Sequence, residues 1–249
     1  MKSNRDLSAA VSEAVLKAGS RRVADLAAEF GISEVTIRKT LDGLERRGVI
    51  RRFHGEARAY DGDAIPFRMG LHFAQKQHAA ELAAGLVNPG EAILLEAGSA
   101  VACLADRLKS RKGLTVVTPN LFIARIFKAG PVRVVVTGGE YQEESESLVG
   151  PLAEAAVRGI GFSKAFLGAS GYTTEGGFAL NDSSRARLTS IILERGAGNY
   201  VITDSSKFGA AHTAPYCSNL ALLTGIVTDP GIPGAFRAEF EAAGLRLIF

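Results

Sequence analysis

Apolar residues recur at helical spacing at Leu7, Val11, Ala14, Val15 and Ala18, and Gly19 stops the run, so a first helix is predicted over residues 7–18. A second stripe, Leu26, Ala27 and Phe30, ends at Gly31, which tolerates the left-handed conformation of a helix C-cap. Ser33 is placed to cap a third helix by accepting a bond from an unpaired backbone N–H. In that helix Ile37, Leu41 and Leu44 share one face. Val35, Arg38, Lys39, Asp42 and Arg46 fall on the opposite one. Gly48 closes it, and residues 49–53 and 56–60 suit two strands around a His54-Gly55 turn.

Asp61-Gly62-Asp63 and Pro66 break this pattern, and residues 61–75 are expected to be a linker. An Ala-rich helical stretch over 72–87 follows. The rhythm then changes to short apolar runs alternating with helices: 92–96, 114–118, 132–137, 164–169, 199–204 and 222–229, with a last helix over 233–243 and a terminal strand over 245–249. Continuous apolar strands alternating with helices predict a mainly parallel sheet covered on both faces. The expected organisation is an N-terminal domain of helices and a hairpin at 1–60, the linker, and an α/β domain at 76–249.

Composition narrows the picture. The chain has 249 residues, 47% of them apolar, enough for a real core. Its apolar runs are too short to span a membrane, and no export signal is apparent, so a cytoplasmic protein is expected. Cys103 and Cys217 are far apart in apolar settings, which suits a reducing compartment. The four histidines lack ligand spacing, so no metal site is expected, and no cofactor. The net charge of +3 is unevenly placed. Residues 1–60 carry 12 Lys and Arg against 8 Asp and Glu, and residues 61–249 carry 17 against 18.

A capped helix with an apolar inner face and a basic outer one, second in a helix-turn-helix, fits the DNA major groove. Arg51, Arg52 and Arg58 on the hairpin would meet phosphates beside it. Here the sequence resembles a known family. Residues 32–57 resemble the winged helix-turn-helix of the DeoR family of bacterial repressors, at Ser33, Thr36, Ile37, Arg38, Leu41, His54, Gly55 and Ala57. Lys39 stands where the family has a second Arg, Thr40 where it has Asp, and Glu56 where it has a second wing Gly. These departures bear on which operator is read. The DNA-binding set is therefore Ser33, Val35, Thr36, Arg38, Lys39, Asp42, Arg46, Arg51, Arg52, His54 and Arg58.

In parallel α/β sheets ligands sit at the carboxyl ends of the strands, and polar residues collect there in this chain. Glu96, Gly98 and Ser99 end one strand and open a helix whose N–H groups suit an anion. Thr118 and Asn120, Gly138 and Gly139, Ser170 and Gly171, and Asp204 and Lys207 end four others. Five such loops at one edge suggest a small polar ligand with a phosphate, Lys207 being its cationic contact and Asp204 a hydroxyl acceptor. The same stretches resemble the sensor domain of DeoR-family repressors, similar in fold to ribose-5-phosphate isomerase, and the resemblance implies a phosphorylated sugar or polyol as inducer. The match runs through Gly138, Gly139, Gly150, Gly168, Gly171 and residues 204–209. Three departures stand out. Glu96 replaces an Asp and Ser170 replaces an acid of a Gly-Ala-Asp-Gly run. Where the family has a Glu and a Lys, Ser184 or Arg185 meets the first and Thr189 the second. Arg185 and Arg187 are either replacement charge or exposed helix residues.

The expectation is a transcription regulator, a repressor of a carbohydrate catabolic operon, that leaves its operator when a sugar-phosphate-like effector binds. A homodimer or homotetramer is expected, because one winged helix buries too little surface for tight specific binding. The alternative is a sugar-phosphate isomerase-like enzyme with an appended DNA-binding domain. Isomerisation through an enediol needs a carboxylate base, and Ser170 and Ser184 stand where acids would be kept, so no catalytic residue is assigned.

Overall fold

The helical spacing of the first third of the chain becomes three helices around a small core. The computed structural model describes residues 4–46, 50–53, 55–59 and 65–249. They divide into two units, Met1–Ala74 and Gln75–Phe249. In the first, α1 (Asn4–Ala18) leads through β1 (Ser20–Arg22) to α2 (Val23–Phe30) and α3 (Glu34–Arg46), then to β2 (Ile50–Phe53) and β3 (Glu56–Ala59). Val11, Val15, Leu26, Ile37, Leu41, Leu44, Ile50 and Ala57 form the core. A fully buried Leu or Ile there contributes about 1.5–3 kcal/mol. Gly31 stands at φ 63°, and its N–H reaches the carbonyls of Ala27 and Ala28, closing α2 in the left-handed conformation only Gly adopts without strain.

Two features differ from expectation. β1, too short to show any alternation, joins the hairpin as a third strand, pairing antiparallel with β3 so that Ser20 faces Arg58. The segment expected as linker carries α4 (Ile65–Gly70). Phe67 and Leu71 pack against the first core. Pro66 does not prevent this helix, because the first-turn N–H it lacks would have had no intrahelical acceptor. The proposed end of α3 at Gly48 lies outside the described residues.

The second unit begins within α5 (Phe73–Gly85) and continues β4 (Ala92–Leu95), α6 (Ser99–Leu108), β5 (Thr115–Thr118), α7 (Leu121–Ile126), β6 (Arg133–Val136), β7 (Glu140–Gln142), β8 (Ser147–Val149), α8 (Gly150–Gly159), β9 (Lys164–Leu167), β10 (Gly171–Thr173), β11 (Gly177–Leu180), α9 (Ser183–Glu194), β12 (Gly198–Ile202), β13 (Ala214–Cys217), β14 (Gly225–Val227), α10 (Gly234–Ala242) and β15 (Arg246–Ile248). Seven strands form one sheet in the order β15-β14-β12-β9-β4-β5-β6. Every pairing in it is parallel. The strands read as apolar runs because both faces are covered.

The hairpin β7-β8 and the small antiparallel sheet β10-β11-β13 were not apparent in the sequence. Neither was α8, and α9 was suggested only as one reading of Arg185 and Arg187. All four residues of β11 are buried, so no polar alternation marks it. Tyr172 in β10 centres an aromatic cluster with Phe178, Phe208, Phe236 and Phe240, with ring centroids 4.6–6.2 Å from its own.

The order of the sheet positions the second site. From β4 the chain adds β5 and β6 on one side, then returns to lay β9, β12, β14 and β15 on the other. The winding therefore reverses between β4 and β9, the kind of switch point at whose carboxyl edge ligands bind in parallel α/β sheets. Glu96 follows β4 and Gly168 follows β9.

Candidate DNA-binding surface and effector site

On α3 the packing of Ile37, Leu41 and Leu44 turns the other side of the helix outward. Ser33 caps it: its Oγ accepts from the Thr36 N–H at 3.2 Å and lies 2.9 Å from the Thr36 hydroxyl. Val35 is 64% exposed, a high value for an apolar residue. Thr36, Arg38 and Lys39 are exposed beside it. Arg38 pairs with Glu34 one turn earlier at 2.9 Å. Arg52 pairs with Asp42 and donates its backbone N–H to Glu45 at 3.0 Å. Arg58 donates to Glu56 at 2.8 and 2.9 Å and lies over the Phe53 ring, 5.2 Å from its centroid.

Arg38, Arg52 and Arg58 are thus each engaged with an acid, which the helical pattern alone did not reveal. Such exposed pairs contribute only about 0–1 kcal/mol, so an incoming phosphate can replace the carboxylate at small cost. Glu56 is held below the usual carboxylate range, first by its hydrogen bond from Arg58. Arg46 ends α3 and Arg51 lies in β2, opposite Arg58 in the register. His54 lies outside the described residues. Thr40, expected to influence operator choice, is buried and donates its hydroxyl to the Thr36 carbonyl at 3.0 Å. It serves the helix.

At the carboxyl edge of the large sheet the five expected loops stand side by side, in the order 204, 168, 96, 118 and 137 set by the strands. Their groups are used differently. Asn120 caps α7, its Oδ1 accepting from Ile123 N–H at 3.0 Å, while its Nδ2 donates to the Ser145 carbonyl at 2.8 Å and the Ser147 hydroxyl at 3.1 Å. Thr118 Oγ1 accepts from the Asn120 N–H. Both side chains, expected to face a ligand, hold the loop instead. Gly139 and Gly171 pack against backbone: a Cβ would lie 2.6 Å from the Val149 carbonyl oxygen and 2.0 Å from that of Ala210. Gly138 is exposed and touches neither.

Around the switch point the picture is polar. Glu96 is 2% exposed, and its Oε2 accepts from the Gly168 N–H at 3.4 Å. The Gly168 carbonyl accepts from the Tyr216 hydroxyl at 2.9 Å. Burial raises the Tyr216 hydroxyl well above its ordinary range, so it remains a donor. A Cβ on Gly168 would stand 2.4 Å from the Ala97 carbonyl oxygen, so only Gly lets the two strand ends meet. Ser99 opens α6, half-buried. Ser170 is 8% exposed at the start of the next loop.

Two cations missed in the sequence complete the cluster. Arg185, in the first turn of α9, is 3% exposed and reaches Glu96 Oε1 at 3.4 Å. Lys76, on α5, is likewise 3% exposed and stands 3.6 Å from Asp204 Oδ2. Lys76 sits in an Ala-rich helix with polar neighbours, so nothing in its surroundings along the chain marks it as buried. Arg185 carried one signal, its place where a family acid was expected, but two alignments were open. Burial selects between them, since Ser184 is exposed and Arg185 points inward. Arg187 is exposed and pairs with Glu154. Asp204 Oδ1 accepts from Ser206, hydroxyl and N–H both, so the carboxylate is oriented by its own loop. Lys207 is half-buried, without an ion pair among the described residues. No group of three or more His, Cys, Asp or Glu able to hold a metal occurs among the described residues.

Comparison with known proteins matches both units. Residues 8–62 match the DeoR-like helix-turn-helix domain, and residues 71–230 match the DeoR C terminal sensor domain. Among similar proteins, a "Lactose phosphotransferase system repressor" of Staphylococcus epidermidis is 28% identical over 230 residues, covering 88% of this chain and 89% of its own. An "HTH-type transcriptional regulator GlpR" of Haloferax volcanii is 27% identical over 242 residues, covering 96% and 94%. Among solved structures, ribose 5-phosphate isomerase A from Neisseria gonorrhoeae shares 17% identity at a TM-score of 0.40, covering 54% of this chain and 53% of its own. Among the described residues no helix is long and apolar enough to cross a membrane. With a sensor-domain match over more than half its length and the helix-turn-helix match before it, the chain belongs to the DeoR family of transcriptional regulators.

Proposed function

We propose that the protein is a cytoplasmic, homo-oligomeric repressor of a carbohydrate operon, displaced from its operator by a phosphorylated sugar or related metabolite, and that it catalyses no reaction. The observation that carries this reading is the presence, in one chain, of an outward face on α3 bearing Val35, Thr36, Arg38 and Lys39 and of a buried charged cluster at the switch point of a parallel sheet. Arg38 and Lys39 read base edges, and Arg51, Arg52 and Arg58 meet the phosphates. In the sensor, the N-terminus of α6 at Ser99 and the ammonium of Lys207 receive the phosphate. Glu96 and Asp204, each already facing a cation, orient hydroxyl groups.

Against catalysis stands the state of the acids. Ser170 replaces one, and Glu96 faces Arg185 across 3.4 Å, so it stands beside a cation rather than alone as a base. Coupling between the two units is a population shift: the effector prefers a sensor arrangement in which paired DNA-binding units no longer match operator spacing. A tenfold loss of operator affinity needs a preference of only about 1.4 kcal/mol. The test is a gel shift with DNA from upstream of the protein's own gene. Wild type binds, the Arg38→Ala, Lys39→Ala double variant does not, and sugar phosphates release the wild-type complex. Equal retention of both proteins would overturn the groove assignment.

A further inference from the structure

Buried charge is costly unless it is closely paired, and ionic hydrogen bonds between Arg or Lys and a carboxylate normally close to about 2.7–2.9 Å. The two buried pairs at the switch point do not close. Arg185 reaches Glu96 with one nitrogen at 3.4 Å, and Lys76 stands 3.6 Å from Asp204. Arg185 Nε and Asp204 Oδ2 are both buried without a hydrogen-bond partner. A guanidinium offers five donors in a fixed fork, so this Arg keeps much of its capacity unspent in a place water does not reach. The exposed pair of Arg38 with Glu34 closes to 2.9 Å, although it gains less from doing so. A buried guanidinium nitrogen and a buried carboxylate oxygen, both without a hydrogen-bond partner, are the arrangement of a site that awaits another group.

The charge of that group follows from the donors. Arg185 is a planar cation suited to a carboxylate, and the second cationic locus, Lys207 with the start of α6, suits a phosphate. β4 and β12, which deliver Glu96 and Asp204, are separated by one strand, β9, so their ends lie about 10 Å apart. We propose that the effector is a phosphorylated sugar acid, whose carboxylate is taken by the fork of Arg185 while its phosphate lies toward Lys207 and Ser99. Glu96 then turns its freed oxygen to a hydroxyl next to the carboxylate, and Asp204 with Lys76 binds a hydroxyl further along the carbon chain. The inference rests on the proposed phosphate effector and adds the second anionic end.

The test uses matched ligand pairs that differ only at one terminus: phosphorylated aldonates of four, five and six carbons, each beside the alditol phosphate of the same configuration. Binding is read by the melting temperature of the full-length protein and by release of fluorescent operator DNA. For at least one chain length the acid should act at about tenfold lower concentration than its alditol partner, the factor a hydrogen bond to a charged group commonly gives. Because Arg185→Gln alone strands a buried Glu96, the variant is Glu96→Gln with Arg185→Gln, which removes both charges together. It should still bind operator and lose the preference for the acid. If alditol phosphates act as well as their acids, Arg185 is a structural partner of Glu96, the carboxylate inference falls and the phosphate reading stands. If the acid preference survives in the double variant, Arg185 is not its reader and the inference falls as well. If no member of either series binds, both readings fail together.

Discussion

The two candidate sites hold their charges in opposite ways. In the first, Arg38–Glu34, Arg52–Asp42 and Arg58–Glu56 are closely paired, each with at least one partner exposed to water. In the second, Glu96–Arg185 and Lys76–Asp204 are almost wholly buried and held apart. A surface pair is nearly neutral in free energy and can exchange its acid for a passing phosphate. A buried pair resists any change that leaves one charge alone. On the proposed reading, ion pairs of similar composition serve two kinds of recognition. Exchangeable pairs suit a long polyanion gripped at many points, and buried unsatisfied ones suit a small ligand selected at a few.

The sharpest way to break this comparison is to remove one charge from each kind of pair. Lys76→Met should leave Asp204 stranded and cost about 3–5 kcal/mol in a denaturant melt. Glu34→Ala should cost less than about 1 kcal/mol. Similar midpoints for the two variants would end the distinction.

Next in size is Gly168→Ala, whose added methyl meets the Ala97 carbonyl where β4 and β9 end. Overpacking of this sort costs about 1–3 kcal/mol. The loss should appear in thermal stability and effector response, with operator affinity of the folded protein unchanged.

Arg38→Ala sharpens the other side. It should weaken operator binding by about 1–3 kcal/mol with relaxed preference at one base pair. Stability should move by less than about 0.5 kcal/mol, as for most surface changes. Arg58→Ala should weaken every DNA sequence alike and lower the slope of log affinity against log salt by about 1.

The smallest effect concerns pH. Arg58 lowers the Glu56 carboxyl below its ordinary value of 4.5, so the stability from this pair is present above that value and is lost as pH falls through the lower folded value. Melting curves of wild type and Glu56→Gln should therefore differ slightly at neutral pH and converge in acid.

How much could be read in advance follows the same division. The first unit was legible because its signals are local: the spacing of Ile37, Leu41 and Leu44, the cap at Ser33 and the turn at Gly31 each act within a few residues. The parallel strands were legible as apolar runs between glycine-rich turns. β1 and β11 were not, one being too short and the other buried on both faces. The site was half legible. Glu96, Ser99, Asp204 and Lys207 stand at strand ends that topology brings together. Lys76 and Arg185 come from helices remote in sequence and reach the site only through packing, which no local pattern encodes. Asn120 misled for the opposite reason, since a polar residue at a strand end serves equally well as a helix cap.

The central claim is that occupancy of the sensor dissolves the complex made by α3. The direct measurement is fluorescence anisotropy of operator DNA bound to wild type and to Lys207→Ala, each titrated with phosphorylated sugars and sugar acids. The account predicts that both proteins hold the operator with equal affinity, that at least one ligand releases it from wild type, and that the same ligand fails with Lys207→Ala. Release from both proteins at the same concentration, or from neither by any ligand, would contradict it.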